Sequence, residues 1–308
     1  MFRHRRLLLG TAMVRDRREF LKIGLAAAAL AGSRGVGSAW APKRSASDWV
    51  TLGDSGVKVT RLAFGTGTFS GRLQRDLGQD AFTRLVRHAY DRGVRFFDTG
   101  ESYSGTPQML SIALKGLPRD SYRLMTKWDV GSNQDALARI DRYRRDLGSE
   151  YIDILLIHYV RDPRWTQTTR AAQDGLSEAK ARKTILAHGV STHGLPALGT
   201  VLGNKWVDVS LLRTNHAGVH MDTPDVGDPD IIGDVQQVVA HTRKIHAQGT
   251  GVVGMKLIGE GRFTKPEERE ASIRFVMGLG SVDAITIGFK STAEVDEAIE
   301  RVDRALNT

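Results

Sequence analysis

Three apolar runs end in a polar residue able to move protons or hold charge: Val94-Arg-Phe-Phe-Asp98, Leu124-Met-Thr-Lys127 and Leu155-Leu-Ile-His158. Tyr103 follows Asp98 in the next loop. A carboxylate, a phenol, an ammonium and an imidazole brought together suit reduction of a carbonyl group, which needs a proton at oxygen while a hydride donor approaches the carbon. Free tyrosine titrates at about 10 and is a sluggish acid at neutral pH. A neighbouring Lys127 ammonium is expected to favour the phenolate and lower that value, with Asp98 keeping the lysine charged and in place. His158 can hydrogen-bond the same carbonyl oxygen. General-acid help of this kind is typically worth about 10²- to 10⁴-fold.

Such groups act together only if the elements carrying them end at one place. Eight short apolar runs recur: Arg61 to Gly65, Val94 to Asp98, Tyr122 to Lys127, Tyr151 to His158, Thr184 to Ser191, Val207 to Arg213, Gly251 to Leu257 and Val282 to Ile287. None alternates cleanly with polar residues, as expected of parallel strands covered on both faces. Segments of helical period lie among them, including Asp80 to Arg92, Asp135 to Leu147, Asp234 to Gln248 and Ala293 to Leu306. Strict alternation over eight units predicts an α/β fold, a (β/α)₈ barrel, whose sites lie at the carboxyl ends of the strands. A doubly wound open sheet is the main competitor. Gly65-Thr-Gly-Thr-Phe-Ser-Gly71 has the wrong spacing for its pyrophosphate turn. Trp49 to Leu62, turn-rich at its centre, reads as a hairpin closing the N-terminal end of the barrel.

The formal charge of +9 is uneven. Residues 1–41 hold eight Lys and Arg against Asp16 and Glu19, which is +6, and leave 9 − 6 = +3 for the rest. With no basic run interleaved with aromatics beyond, nucleic-acid binding is not expected. The absence of cysteine excludes disulfides, thiolate nucleophiles and Cys-ligated metals. Arg17-Arg18, the apolar Ile23 to Gly32 and Ser38-Ala-Trp-Ala41 are the three parts of a secretory signal. The apolar part is too short to span a membrane. The arginine pair followed by Phe20, Leu21 and Lys22 resembles a twin-arginine signal, read by export machinery and leaving no membrane anchor after cleavage. The chain is therefore divided into a leader, 1–41, and a barrel domain, 42–308, destined for the periplasm or another exported location; Met13 is an alternative start.

Gly93-Val-Arg-Phe-Phe-Asp-Thr-Gly-Glu-Ser-Tyr-Ser-Gly105, Thr126-Lys127 and Leu155-Leu-Ile-His158 together resemble the successive signatures of the aldo-keto reductase family, from about Val50 to the C-terminus. The resemblance implies Tyr103 as proton donor, Lys127 and Asp98 as its tuning pair, and His158 as the residue orienting the substrate. It implies a nicotinamide cofactor, NADPH with NADH as the alternative, and a small aldehyde, ketone or sugar as substrate. The cofactor contacts it implies are Gly65 and Thr66, Ser191 and Thr192, Asn215, Met255 and Lys256, and Gly288, Lys290 and Ser291. Thr192 replaces the family's asparagine, Met255 stands where many members stack an aromatic ring, and Asp296 lies where an arginine often follows Lys290. The alternative is a nucleotide-binding accessory barrel without turnover, which retention of all four residues disfavours.

His188, His193, His216 and His220, and the run Asp222, Asp225, Asp228 and Asp230, invite a metal site. Neither set has a complete ligand spacing, and no metal is expected. Tyr159 to Gln173, with Trp165, reads as a long polar connection covering the substrate. Trp128 suits a pocket wall or the core.

Overall fold

The computed structural model describes residues 43–129, 135–223 and 232–308. The expected leader lies outside the described residues, as do Asp225, Asp228 and Asp230.

Strands β1 (Trp49–Thr51) and β2 (Lys58–Thr60) form an antiparallel hairpin. They are followed by β3 (Leu62–Gly65), α1 (Arg72–Asp76), α2 (Gly78–Asp91), β4 (Phe96–Asp98), α3 (Thr106–Leu114), β5 (Arg123–Asp129) and α4 (Ala136–Asp146). Next come β6 (Ile152–Val160), α5 (Trp165–Thr168), α6 (Arg170–Ala181), β7 (Ile185–Thr192), α7 (Leu195–Gly199) and β8 (Val209–Arg213). The chain ends with α8 (Val235–Ala247), β9 (Gly251–Met255), α9 (Pro266–Gly278), β10 (Ala284–Gly288) and α10 (Thr292–Leu306). Strands β3 to β10 close a parallel barrel in sequence order, with β10 returning to β3. Each expected apolar run overlaps one barrel strand. Three helices begin at a side-chain cap: Asp135, Asp234 and Ser291 accept hydrogen bonds from the first-turn amides of α4, α8 and α10.

Alternate strand residues separate two cores, because successive side chains point to opposite faces. Ala63, Phe96, Met125, Ile154, Leu156, Ala187, Val209, Leu211, Val253 and Ala284 fill the interior of the barrel. Their neighbours, among them Phe64, Phe97, Leu155, Ile157, Val190 and Ile285, pack under the helices. Leu52, Val57 and Val59 of the hairpin join the interior set, and a bridge from Gly53 to Thr250 fixes the hairpin to the start of β9. The hairpin therefore plugs the amino-terminal end, and the opposite mouth stays open for chemistry.

The segment expected as a long connection is corrected. β6 extends to Val160, and α5 and α6 take most of the remaining residues. Trp165 is buried, donates from Nε1 to Thr200 Oγ1 at 2.7 Å and packs against Trp206, so it lines no substrate site. The polar residues satisfy one another locally: Gln173 Nε2 donates to Thr166 O and Thr169 Oγ1. Trp128 belongs to the outer core, under the Arg139 guanidinium and against Tyr143.

Close strand packing is most demanding at Gly189 in β7, where an added Cβ would lie 1.9 Å from the Val209 carbonyl oxygen of β8. Overpacking of this kind typically costs about 1–3 kcal/mol, or more when backbone must move. Gly189→Ala is expected to lower the melting temperature by roughly 2–4 °C for each kcal/mol lost. A thermal unfolding scan checks this, and a wild-type melt would show that β7 and β8 can separate there.

Candidate active site

One parity of the strands delivers the polar groups to the mouth. Counting by twos from the interior residues reaches Asp98 in β4, Lys127 and Asp129 in β5, His158 in β6, Ser191 and then His193 after β7, Met255 in β9 and Thr286 in β10. Strand register sets their neighbours: Asp98 pairs with Gly65 and Met125, and Asp129 with His158. Tyr103 enters from the β4–α3 turn, closed by its own amide donating to Gly100 O at 3.1 Å and by Thr106 Oγ1 donating to Tyr103 O at 2.8 Å. Its ring lies so close to the backbone that a Cβ at Gly67 or Gly100 would come within 2.8 or 3.0 Å of it.

Lys127 is 1% exposed. Its Nζ donates to Asp98 Oδ1 and, at 2.6 Å, to Thr99 O, while Asp98 Oδ2 accepts from Thr286 Oγ1 at 3.2 Å. Tyr103 OH faces His158 Nε2 at 3.4 Å, and the Lys127 ammonium lies 5.1 Å from the phenol ring centre. On its far side His158 Nδ1 bonds Asp129 Oδ1, which also accepts from Ser102 Oγ at 3.3 Å.

The charges follow from burial and pairing. Tyr103 is pushed well above the usual phenol value, by burial first and then by the carboxylates of Asp98, Asp129 and Glu260. This corrects the expectation that Lys127 lowers it: the ammonium is neutralised by Asp98, so burial of the phenolate dominates. His158 is held below the usual imidazole value, chiefly by burial and despite Asp129. Burial works against the Asp129 carboxylate, but hydrogen bonds from His158 and Ser102 and the charges of His158 and Arg139 outweigh it and keep Asp129 below the ordinary range.

A cavity of about 600 Å³ runs from Tyr103 along the ends of β3, β9 and β10 to α10. It brings Gly65, Met255, Lys256, Gly288 and Lys290 to one wall with Asp98, Tyr103 and Lys127. The remaining expected contacts are placed differently. Thr66 Oγ1 donates to Thr99 Oγ1 at 2.9 Å and ties β3 to β4. Ser191 Oγ, on the inward parity, and Thr192 Oγ1 are buried without a hydrogen-bond partner, so a carboxamide beside Ser191 would satisfy an orphaned atom. Asn215 is engaged by its own loop: Nδ2 donates to Val219 O and Lys256 O, and Oδ1 accepts from Ala217 and Val219 amides. With each amide proton given to a backbone carbonyl, Asn215 has none left for a nicotinamide. Ser291 Oγ accepts from Glu294 N at 3.3 Å and caps α10.

Three acidic residues and a histidine were not foreseen at this wall. Glu260 pairs with Lys256 at 2.8 Å and accepts from Phe69 N at 3.4 Å, and Glu294 lies 3.6 Å from Lys290 Nζ. Glu297 lines the same end and pairs with Arg269 and Arg301. His193, considered above only as a metal ligand, lines the cavity with Nε2 unpartnered and its ring 6.0 Å from that of His158. Asp129 and His193 carried a signal in sequence, two residues beyond Lys127 and Ser191; the glutamates carried none.

A sequence model described as the aldo/keto reductase family matches residues 61–305, and the chain belongs to that family. It is similar to L-galactose dehydrogenase of Arabidopsis thaliana, with 32% identity over 145 residues, 42% of this chain and 45% of that protein. The chain spans less than half the length of the curated relatives it matches. Its fold is similar to the holo form of an aldo-keto reductase from Bacillus halodurans, at TM-score 0.64 and 16% identity over 84% of this chain and 95% of that one. It is similar also to an aldo-keto reductase from Klebsiella pneumoniae in complex with NADPH, at TM-score 0.60 and 16% identity over 86% and 90% of the two chains. These two likenesses establish the barrel alone.

The raised phenol value gives a direct test on the nucleotide-free protein. An ordinary tyrosine is half ionised at a pH of about 10. Subtracting the phenolate absorbance titration of Tyr103→Phe from that of the wild type is expected to leave no phenolate signal at that pH. Half a phenolate per chain would show that the Lys127 ammonium prevails over burial.

Proposed function

We propose that this chain is an NADPH-dependent carbonyl reductase acting on a small aldehyde, ketone or sugar, with Tyr103 as its proton donor. The observation that carries this is a neutral phenol beside a buried Lys127–Asp98 pair in the same cavity as Lys290. The dinucleotide would lie along this groove, with Ser191 at the nicotinamide end and Lys290 at the adenosine end. When bound it supplies the hydride for the carbonyl carbon. Tyr103 then protonates the oxygen, while Lys127, anchored by Asp98, holds its place beside the phenol ring. NADPH is the reductant in this proposal because Lys290 and the α10 amino terminus can receive a 2′-phosphate; NADH would leave Lys290 paired with Glu294.

Consumption of NADPH in the presence of a panel of aldehydes, ketones and sugars tests the proposal. Tyr103→Phe is expected to lower kcat by about 10²- to 10⁴-fold with the nucleotide dissociation constant little changed. Tight nucleotide binding without turnover on any carbonyl would instead make the barrel an accessory subunit.

Export by the twin-arginine route to the periplasm belongs to the same proposal, supported by the leader sequence 1–41. Recovery of a mature chain beginning at Pro42 from the periplasm, with nucleotide already bound, is the expected result. Recovery only from the cytoplasm with the leader attached would rule the route out.

A further inference from the structure

The end of β6 departs from the strand pattern at one residue. Ile157 pairs with Val190 and Val160 with Thr192, so β6 sets His158 and Tyr159 against Ser191 alone. Ile157 and Val160 both pack in the outer core, which strict alternation along a strand would not allow. Tyr159 is the residue in excess. Its backbone is left-handed, with φ of 53°, a costly conformation for a bulky side chain. A bulge beside an active site re-aims a side chain, and strain kept there is a sign of function.

The bulge brings the Tyr159 ring to the mouth. It is 48% exposed, with its centre 6.3 Å from that of the His158 ring. It leans on His193, whose ring centre is 4.4 Å away and whose unpartnered Nε2 borders the cavity. Arg161, half-buried, holds its guanidinium 5.8 Å from the Tyr159 ring centre and meets no carboxylate among the described residues. Asp162, next to it in the chain, is taken by Arg164 through both oxygens. The other cations near this edge are matched: Lys127 by Asp98, Lys256 by Glu260 and Arg213 by Asp222. Asp129 is turned to His158 and Ser102. Burial and the nearby cations hold His193 uncharged at neutral pH, so it adds hydrogen-bonding capacity and no charge. The positive charge left open at this edge is that of Arg161.

Resting on the reductase function proposed above, we infer that Tyr159, His193 and Arg161 form the subsite for the part of the substrate beyond its carbonyl group, and that it selects carbonyl compounds in which a flat ring carries an anionic group. The ring stacks on Tyr159, which the protein itself leaves half uncovered. The planar guanidinium of Arg161 takes the anion, a carboxylate matching its fork of donors. His193 Nε2 meets a polar atom of the same molecule, which satisfies its orphaned capacity. An aromatic aldehyde acid is the simplest compound of this kind.

Binding of the product alcohol tests the subsite without turnover. 4-(Hydroxymethyl)benzoate and its uncharged counterpart 4-(hydroxymethyl)benzamide are titrated calorimetrically into the full chain with NADPH present. A charge-assisted contact to Arg161 is expected to favour the benzoate by about tenfold, and Arg161→Gln to bring the two dissociation constants together. Tyr159→Leu is expected to weaken both ligands by about 2- to 10-fold and to leave their ratio standing, which a misfolded variant would not do. Equal affinity for the two ligands in the wild type, or no binding of either, overturns the inference. A benzoate preference that survives Arg161→Gln, or wild-type binding by Tyr159→Leu, overturns it as well. In turnover, 4-carboxybenzaldehyde is expected to exceed 4-carbamoylbenzaldehyde in kcat/KM, again by about tenfold. Preference for the benzoate with neither aldehyde reduced would sustain the subsite and sink the reductase function; reduction of both aldehydes with equal kcat/KM would do the reverse.

Discussion

The buried ion pair of Lys127 and Asp98 sets the terms for everything else at the mouth. Burying two charges is unfavourable unless their remaining hydrogen-bonding capacity is met, and removing one partner of such a pair typically costs about 3–5 kcal/mol. Here Thr99 O takes a second ammonium proton and Thr286 Oγ1 occupies the other carboxylate oxygen. The pair therefore joins the ends of the neighbouring strands β4 and β5 to β10, which is far along the chain and is brought near them by barrel closure. Its chemical consequence follows from the same bonds. An ammonium matched by a carboxylate exerts little net field on Tyr103, so the phenol keeps its proton.

A second layer of charge holds the imidazole of His158 beside the phenol. Glu101 accepts from Arg139 and Arg142 on α4 and from the Asp129 amide, so the carboxylate facing His158 is anchored to a helix and a strand at once. Arg139 also stacks over Trp128, which explains why a tryptophan beside Lys127 belongs to the outer core and not to the pocket. Glycine supplies the complementary fit on the other side, where Gly67 and Gly100 leave room for the Tyr103 ring. Charge fixes the imidazole and close packing fixes the phenol, and the 3.4 Å contact between them results from both.

Much of this was legible because barrel strands are short, buried on both faces and followed at once by polar residues. The apolar runs marked the strands, and their last residues marked the mouth. What sequence did not show were quantities decided by environment. The proximity of Lys127 and Tyr103 suggested a lowered phenol value, but the opposite sign results once Asp98 neutralises the lysine and the ring is buried. Asn215 carries the right side chain at a strand end, yet its amide organises residues 215–219. Tyr159 to Gln173 was polar enough to resemble a loop, while its polar atoms bond one another within helices around a buried Trp165. Asp129 was missed for a different reason: its significance lies in strand parity and in its register partner His158, and the pairing across strands is not written in either run alone.

The α10 end of the groove, where the proposed function puts the adenosine, shows why the family's departures here bear on cofactor choice. Lys290 faces Glu294, whose other oxygen accepts from the Lys290 amide at 2.9 Å, and Glu297 is held between Arg269 and Arg301. A 2′-phosphate entering this region meets cations that already have carboxylate partners. Its binding is therefore an exchange, in which the gain at Lys290 is set against repulsion from a displaced Glu294. Without the phosphate the existing pair persists and nothing need be displaced. Selectivity between the two nucleotides is on this view a difference between two ion pairs of similar kind, and the absent arginine matters because it would have given the phosphate a partner that Glu294 does not contest.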